Sequence, residues 1–159
     1  MLAHISAETA HFTTLLTLNN DHSRELSFTD EQRFAHLLRN AFFAASVNEA
    51  EAFLIAFDQM ADYDSPNFIW FRDRFLKFIY IDRVVTAPAA RGRGHAVTLY
   101  DALFQAARAA GHTLAVCEVN EQPDNPASRA LHARLGFVQA GSAKLPDAGK
   151  TVRYLVKTL

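Results

Sequence analysis

Val84-Val85-Thr86-Ala87-Pro88-Ala89-Ala90-Arg91-Gly92-Arg93-Gly94-His95-Ala96 decides how this chain folds. A β-branched run stops at a proline. A short loop with two glycines and two arginines follows, and a long helical pattern then begins without another break. The expectation is a strand, an anion-sized loop and a helix N-terminus. The first turn of a helix has free N–H groups and a partial positive charge, so it can hold a phosphate. The plainer reading is a surface turn with solvated arginines. A dinucleotide fingerprint fails here, because Val97 stands where G-x-G-x-x-G needs its third glycine. A phosphate loop ending in G-K-[ST] fails as well. A different pyrophosphate loop remains beside the plain turn.

Outward from this stretch, periodicity and punctuation give a coarse map. Residues 93–110 predict a helix with Val97, Leu99, Tyr100, Leu103, Phe104 and Ala107 inward, stopped by Gly111. Residues 113–119 read as a strand buried on both faces except at Glu118. Residues 128–135 read as a short helix ended by Gly136, and 137–140 and 152–156 as closing strands. Upstream, 76–86 is the longest strand candidate, and 68–75 a short aromatic helix behind the loop 62–67. Two apolar runs, 41–47 and 52–57, meet at Asn48-Glu49 as a hairpin. Thr29-Asp30-Glu31-Gln32 fits a capping box with Thr29 as N-cap, and the helix behind it buries Phe34, Leu37 and Leu38. Residues 12–18, β-branched and apolar, suggest a first strand that breaks at Asn19-Asn20-Asp21-His22. Strands and helices alternate late and a hairpin comes early, which implies an α/β sandwich around a mixed sheet.

With 159 residues the chain fits one domain, 1–159, with a sizeable core. The net charge of −1 is dispersed, so bulk electrostatics points to no nucleic-acid partner. The lone Cys117 excludes an internal disulfide framework, and no Cys/His spacing suggests a metal site. The N-terminus has no signal-peptide pattern, and no apolar run reaches membrane-spanning length. The expectation is a soluble, cytoplasmic protein with no membrane partner. Edge strands in the C-terminal region would suit a homodimer.

Two segments together point to a family. Arg91-Gly92-Arg93-Gly94-His95-Ala96 resembles the R/Q-x-x-G-x-G/A signature of the GNAT superfamily of acyl-CoA N-acyltransferases. Asn125-Pro126-Ala127-Ser128-Arg129-Ala130-Leu131-His132-Ala133-Arg134-Leu135-Gly136-Phe137 resembles that family's N-x-x-A-x-x-L-Y-x-x-x-G-F segment. The resemblance is strong over residues 76–137 and rests only on element order in the N-terminal third. It implies a mixed, mostly antiparallel twisted sheet of six to seven strands, flanked by helices, with splayed central strands. It also implies acetyl-CoA as cosubstrate, no metal, and transfer to the primary amine of a small molecule, amino acid or peptide.

On that resemblance, backbone N–H groups from Arg91, Gly92, Arg93, Gly94, His95 and Ala96 would hold the pyrophosphate, with charge added by the two arginines. Glycines there let the backbone approach closely and adopt positive φ. The pantetheine arm would lie along Val84, Val85 and Thr86, near Asn125; the plainer role for Asn125 is a helix cap. Amine attack on a thioester needs a base, because an alkyl ammonium has a pKa near ~10. Asp82, an acid within an apolar strand, is the first candidate. Alternation puts it on one face with Phe78, Tyr80 and Val84, and puts Arg83 on the other. Glu118 on the neighbouring strand is the second candidate, and the two could share a cleft. A salt bridge is the plainer reading of Asp82. The resemblance puts a tyrosine proton donor where this chain has His132, whose imidazole could donate instead or simply pack.

Acceptor contacts are expected from Asn19, Asn20, Tyr63, Asp64, Ser65, Asn67, Trp70 and Phe71, where an acidic, aromatic loop would suit an ammonium. An aromatic core beneath a polar turn is the plainer reading. Two other function classes stay open: a non-catalytic acyl-CoA-binding or sensor domain, and an unrelated α/β nucleotide binder.

Overall fold

The protein is described here by a computed structural model covering residues 1–22, 28–145 and 149–159. The strands are β1 (Leu2–His4), β2 (Phe43–Val47), β3 (Ala52–Asp58), β4 (Ile79–Thr86), β5 (Leu114–Gln122), β6 (Val138–Leu145) and β7 (Lys150–Thr158). The α-helices are α1 (Phe12–Asp21), α2 (Glu31–Asn40), α3 (Pro66–Arg72), α4 (His95–Ala109) and α5 (Pro126–Arg134). The strands form one sheet in the order β1-β2-β3-β4-β5-β7-β6. Every neighbouring pair is antiparallel except β4 and β5. Those two are joined through α4, the crossover a parallel pair requires.

The parallel pair is also where the sheet opens. β4 and β5 are in register only at Ile79 with Ala115 and Tyr80 with Val116. Beyond these residues the two strands part, so the β5-facing edge of residues 82–86 has no strand partner. This is the splay that the resemblance implied.

A hydrophobic core fills each face of the sheet. On one side Leu15, Phe34, Phe53, Phe57, Phe68 and Phe71 pack beneath α1, α2 and α3. On the other, Leu54, Ile79, Leu99, Leu103, Ala115 and Phe137 pack beneath α4 and the α5 segment. Asn48 and Glu49 turn the β2–β3 hairpin in the left-handed region, at φ 47° and 66°. Gly94, with φ 79°, is the N-cap of α4.

Several sequence expectations need correction. Residues 12–18 are helical, not a strand. Leu15, Leu16, Leu18 and Asn19 form the buried face of α1, while Thr13 and Thr14 are exposed. A short apolar run carries both periodicities, and here the helical one packs. Asn19, Asn20 and Asp21 continue that helix instead of breaking it. The N-cap of α2 is Asp30, whose carboxylate accepts from the Arg33 N–H at 2.7 Å. Thr29 is instead buried, with its own N–H donating to Asn20 Oδ1 at 2.9 Å. Val97 faces solvent. The strand expected from residue 76 begins at Ile79, and β5 and β7 are longer than it.

The most consequential correction lies in β4. Ile81 pairs with Ala56 and Arg83 with Ile55, so Asp82 is the extra residue of a β-bulge. Regular alternation would separate Asp82 from Arg83. The bulge resets the phase, so Tyr80 packs on the α1–α3 side and Val84 on the other. Asp82 and Arg83 both turn to the α1–α3 side, where they meet Tyr63 and Asn19. Among the described residues no helix is long and apolar enough to cross a membrane.

Candidate active site

A cavity of about 470 Å³ occupies the gap between the parting strands. It is lined from both faces of the sheet. Tyr63, Asn67, Asp82 and Glu118 come from the α1–α3 side, and Tyr100, Cys117, Asn125 and His132 from the α4–α5 side. The gap therefore joins the two sides of the molecule at the level of Glu118.

Glu118 is half-buried on β5. Its Oε1 accepts from the Tyr80 hydroxyl at 2.8 Å and from Asn67 Nδ2 at 3.0 Å. Its Oε2 lies 2.9 Å from the same Tyr80 oxygen. Tyr154 fixes Asn67 in turn by donating to its Oδ1 at 2.9 Å. No cation pairs with Glu118 among the described residues. Burial, and then the nearby Asp82 charge, push its carboxyl up to about 8, although the Tyr80 and Asn67 hydrogen bonds oppose the rise.

Asp82 has different surroundings. Its Oδ1 accepts from the Tyr63 hydroxyl and its Oδ2 from Arg83 Nε, both at 2.5 Å. Both side chains of the ion pair are 4 % exposed. Arg83 Nη1 also donates to Asn19 Oδ1 at 2.8 Å. The salt bridge considered for Asp82 is thus formed, with the neighbour that regular alternation would have ruled out. Desolvation and the Asp82 charge hold the Tyr63 phenol well above its usual range, so it stays a donor.

His132 lies on α5, with its Nδ1 2.7 Å from the Ser128 carbonyl oxygen and its Nε2 2.6 Å from the Tyr100 hydroxyl. A carbonyl can only accept, so Nδ1 carries the ring proton and Nε2 accepts from Tyr100. Burial lowers the imidazole pKa, which keeps the ring neutral. Burial also pushes the Cys117 thiol up, which does not suit a nucleophile.

The glycine loop stands at the start of α4. Gly92 and Gly94 have φ of 81° and 79°, and a Cβ on either would meet only open space. The loop's side chains already have protein partners. Arg91 donates to His22 Nε2 at 3.1 Å, and Arg93 and His95 both reach Glu51, at 3.3 and 2.7 Å. Asn125 is the N-cap of α5, accepting from the Ser128 N–H at 3.3 Å, and it also lines the cavity. Val84 lines the cavity, whereas Val85 is buried in the opposite core. Thr86 ends β4 on its unpaired stretch.

The acceptor residues expected from the sequence divide into two groups. Tyr63, Ser65 and Asn67 line the cavity. Asn19, Asn20 and Trp70 do not. Asn19 is fully buried beside Arg83, and Asn20 binds both backbone groups of Thr29. The Trp70 ring stacks on Tyr154 at 4.1 Å, lies under Arg74 at 3.8 Å, and presses on Gly141, where a Cβ would come within 2.6 Å of it. Asp64 pairs with Arg33 at the rim, and Phe71 is core. Sequence reasoning missed Tyr80, Tyr100 and Tyr154 as partners of the polar groups. A hydroxyl-bearing aromatic within each apolar pattern was the available signal.

A parallel pair opened beyond its first rungs, a glycine loop at the following helix start, and a carboxylate in the gap define an open-sheet α/β protein with its candidate site where the strands part. Among solved structures, the peptide- and CoA-bound NatC complex aligns with TM-score 0.75 at 12% identity, covering 100% of this chain and 98% of that one. The ribosomal-protein-alanine N-acetyltransferase from Brucella melitensis aligns with TM-score 0.73 at 19% identity, over 100% and 99% of the two chains. A putative acetyltransferase from Salmonella typhimurium with its cofactor acetyl-CoA aligns at 0.70 and 17% identity, over 100% and 93%. At these identities the likeness is one of fold. No curated protein matches the sequence. The model of the acetyltransferase (GNAT) family matches residues 15–137, and the chain belongs to that family.

Proposed function

We propose that this acetyltransferase moves an acetyl group from acetyl-CoA to a primary amine, by direct transfer, with Glu118 as the general base. One observation carries the reading: an unpaired carboxylate, raised to about 8, stands in the gap where the two sides of the sheet meet. A base poised near neutral pH suits deprotonation of an ammonium. Asp82 has both oxygens occupied and is the weaker candidate. Its role in this reading is to fix Tyr63 and to raise Glu118.

The residues present fit the donor. Open space over Gly92 and Gly94 leaves the α4 N–H groups clear for the pyrophosphate. Arg91, Gly92, Arg93, Gly94, His95 and Ala96 form that cradle. The unpaired edge at Val84, Val85 and Thr86 can accept an amide arm as an added strand, with Asn125 across the gap. When bound, acetyl-CoA supplies a thioester carbonyl activated for attack. Glu118 Oε2 has fewer donors than Oε1, and it takes the proton from the amine as the new C–N bond forms and the C–S bond breaks. A β4 backbone N–H on the open edge steadies the carbonyl oxygen. On the donor side the one Tyr100 hydroxyl proton is held by neutral His132, so the sulfur leaves as the CoA thiolate and takes its proton from solvent.

An amine and peptide panel with acetyl-CoA, read as free thiol, tests the reading. Turnover should rise with pH through about 8 and be lost in Glu118→Gln. CoA binding with no turnover across the panel would return the chain to an acyl-CoA-binding role.

A further inference from the structure

The acceptor side of the cavity has a charge pattern that narrows the amine. Its wall is built by Ser65, Pro66 and Asn67 at the start of α3 and by Leu145, Lys150 and Val152 of the β6–β7 pair. Leu145 and Lys150 are cross-strand partners. Along β7, Lys150, Val152 and Tyr154 alternate onto the same face, and Tyr154 is in register with Glu118. The strand therefore leads from the hydrogen-bonded floor at Tyr154, over apolar Val152, to an ammonium farther out.

Lys150 has no ion-pair partner among the described residues. Of the other acidic and basic side chains lining the cavity, Asp82 pairs with Arg83, and Glu118 holds its proton below about 8. Among the described residues lining the cavity, Lys150 is thus the cation without an acidic partner. Four residues of strand separate it from Tyr154, about 14 Å at ~3.4 Å per residue. The flexible lysine stem shortens the gap to Glu118 to roughly 8–14 Å. An extended peptide advances about 3.5 Å per residue. A carboxylate on its third residue falls in that interval when its amine is at Glu118. The carboxylate of a free amino acid is two bonds from the amine and falls far short.

We propose that Lys150 selects the acceptor, and that the acceptor is a peptide N-terminus with an acidic side chain at about its third residue. This rests on the acetyl-transfer reading above.

The test compares two peptides with free N-termini, identical but for Glu or Gln at the third position, on the full chain at low salt. In the wild type, kcat/KM should favour the Glu peptide by about five-fold, the factor a partly exposed ion pair provides. The ratio should approach one in Lys150→Ala and fall below one in Lys150→Glu. A merely structural lysine would change both peptides alike and leave the ratio untouched. Equal kcat/KM in the wild type, or a preference that survives Lys150→Ala, overturns the proposal. If small amines are acetylated and no peptide is, the proposal is overturned while the acetyl-transfer reading stands; if no amine of either kind is acetylated, that reading fails. Titration calorimetry of the same two peptides against the CoA-loaded protein then decides the inference by the same ratio: a Glu preference lost in Lys150→Ala supports it, and no preference overturns it.

Discussion

The β4 and β5 sides of the gap each present one carboxylate, and the two have opposite characters. Asp82 on β4 is enclosed and compensated, with a phenol on one oxygen and a guanidinium on the other. Glu118 on β5 has neutral donors only, and burial raises it to about 8. A single inserted residue makes the difference. The bulge brings Arg83 to the same side as Asp82 and leaves none for Glu118. An acid in an apolar strand is therefore not a base by virtue of its position. Its neighbours decide whether its charge is already neutralised.

The largest effect that would break this contrast is on stability. Asp82→Asn leaves Arg83 buried without its counter-charge, a loss of about 3–5 kcal/mol. Urea denaturation should show it as a lower midpoint. The same variant removes a negative charge facing Glu118, so the acid limb of the surviving pH–rate profile should move to lower pH. Glu118→Gln should do the reverse, lowering kcat by about 10²–10³-fold while the protein stays folded.

Its stability signature has a definite sign. The folded state holds the Glu118 proton more tightly than the unfolded chain, whose carboxyl titrates near 4.5. This contribution is full below 4.5 and is lost as pH rises through about 8. Between pH 5 and 9 the wild type should therefore lose Tm relative to Glu118→Gln; parallel curves would mean that Glu118 is not raised.

Smaller effects sharpen the picture. Tyr63→Phe removes one donor from a charged acceptor and should cost about 1.5–2 kcal/mol in denaturant unfolding. Asn67→Ala removes a donor that stabilises ionised Glu118. The acid limb should shift to higher pH, with only a few-fold change in the plateau rate.

Much of this arrangement was legible in the chain. The loop at Arg91–Ala96, the helix behind it, the hairpin at Asn48-Glu49 and the isolated acid in residues 113–119 each rest on local signals, and each stands where expected. What escaped depended on pairing. The bulge at Asp82 follows from register with β3, which no spacing within β4 reveals. The Glu118 cluster draws on β4, α3 and β7, three elements that meet only once the sheet is built. Residues 12–18 misled because β-branched threonines sit on the exposed face of an amphipathic helix. Asn19 looked like a loop residue and is a buried partner of an arginine.

The gap between β4 and β5 also bears on the order of events. On the proposed reading, donor and acceptor enter from opposite faces and meet end to end. Neither must leave before the other arrives, so initial-rate plots at varied concentrations of both substrates should intersect instead of running parallel. A bisubstrate conjugate, an acceptor peptide joined through its amine to CoA by a short acyl bridge, would thread the sheet. It should bind far more tightly than either half, since the second half docks at the high local concentration set by the first.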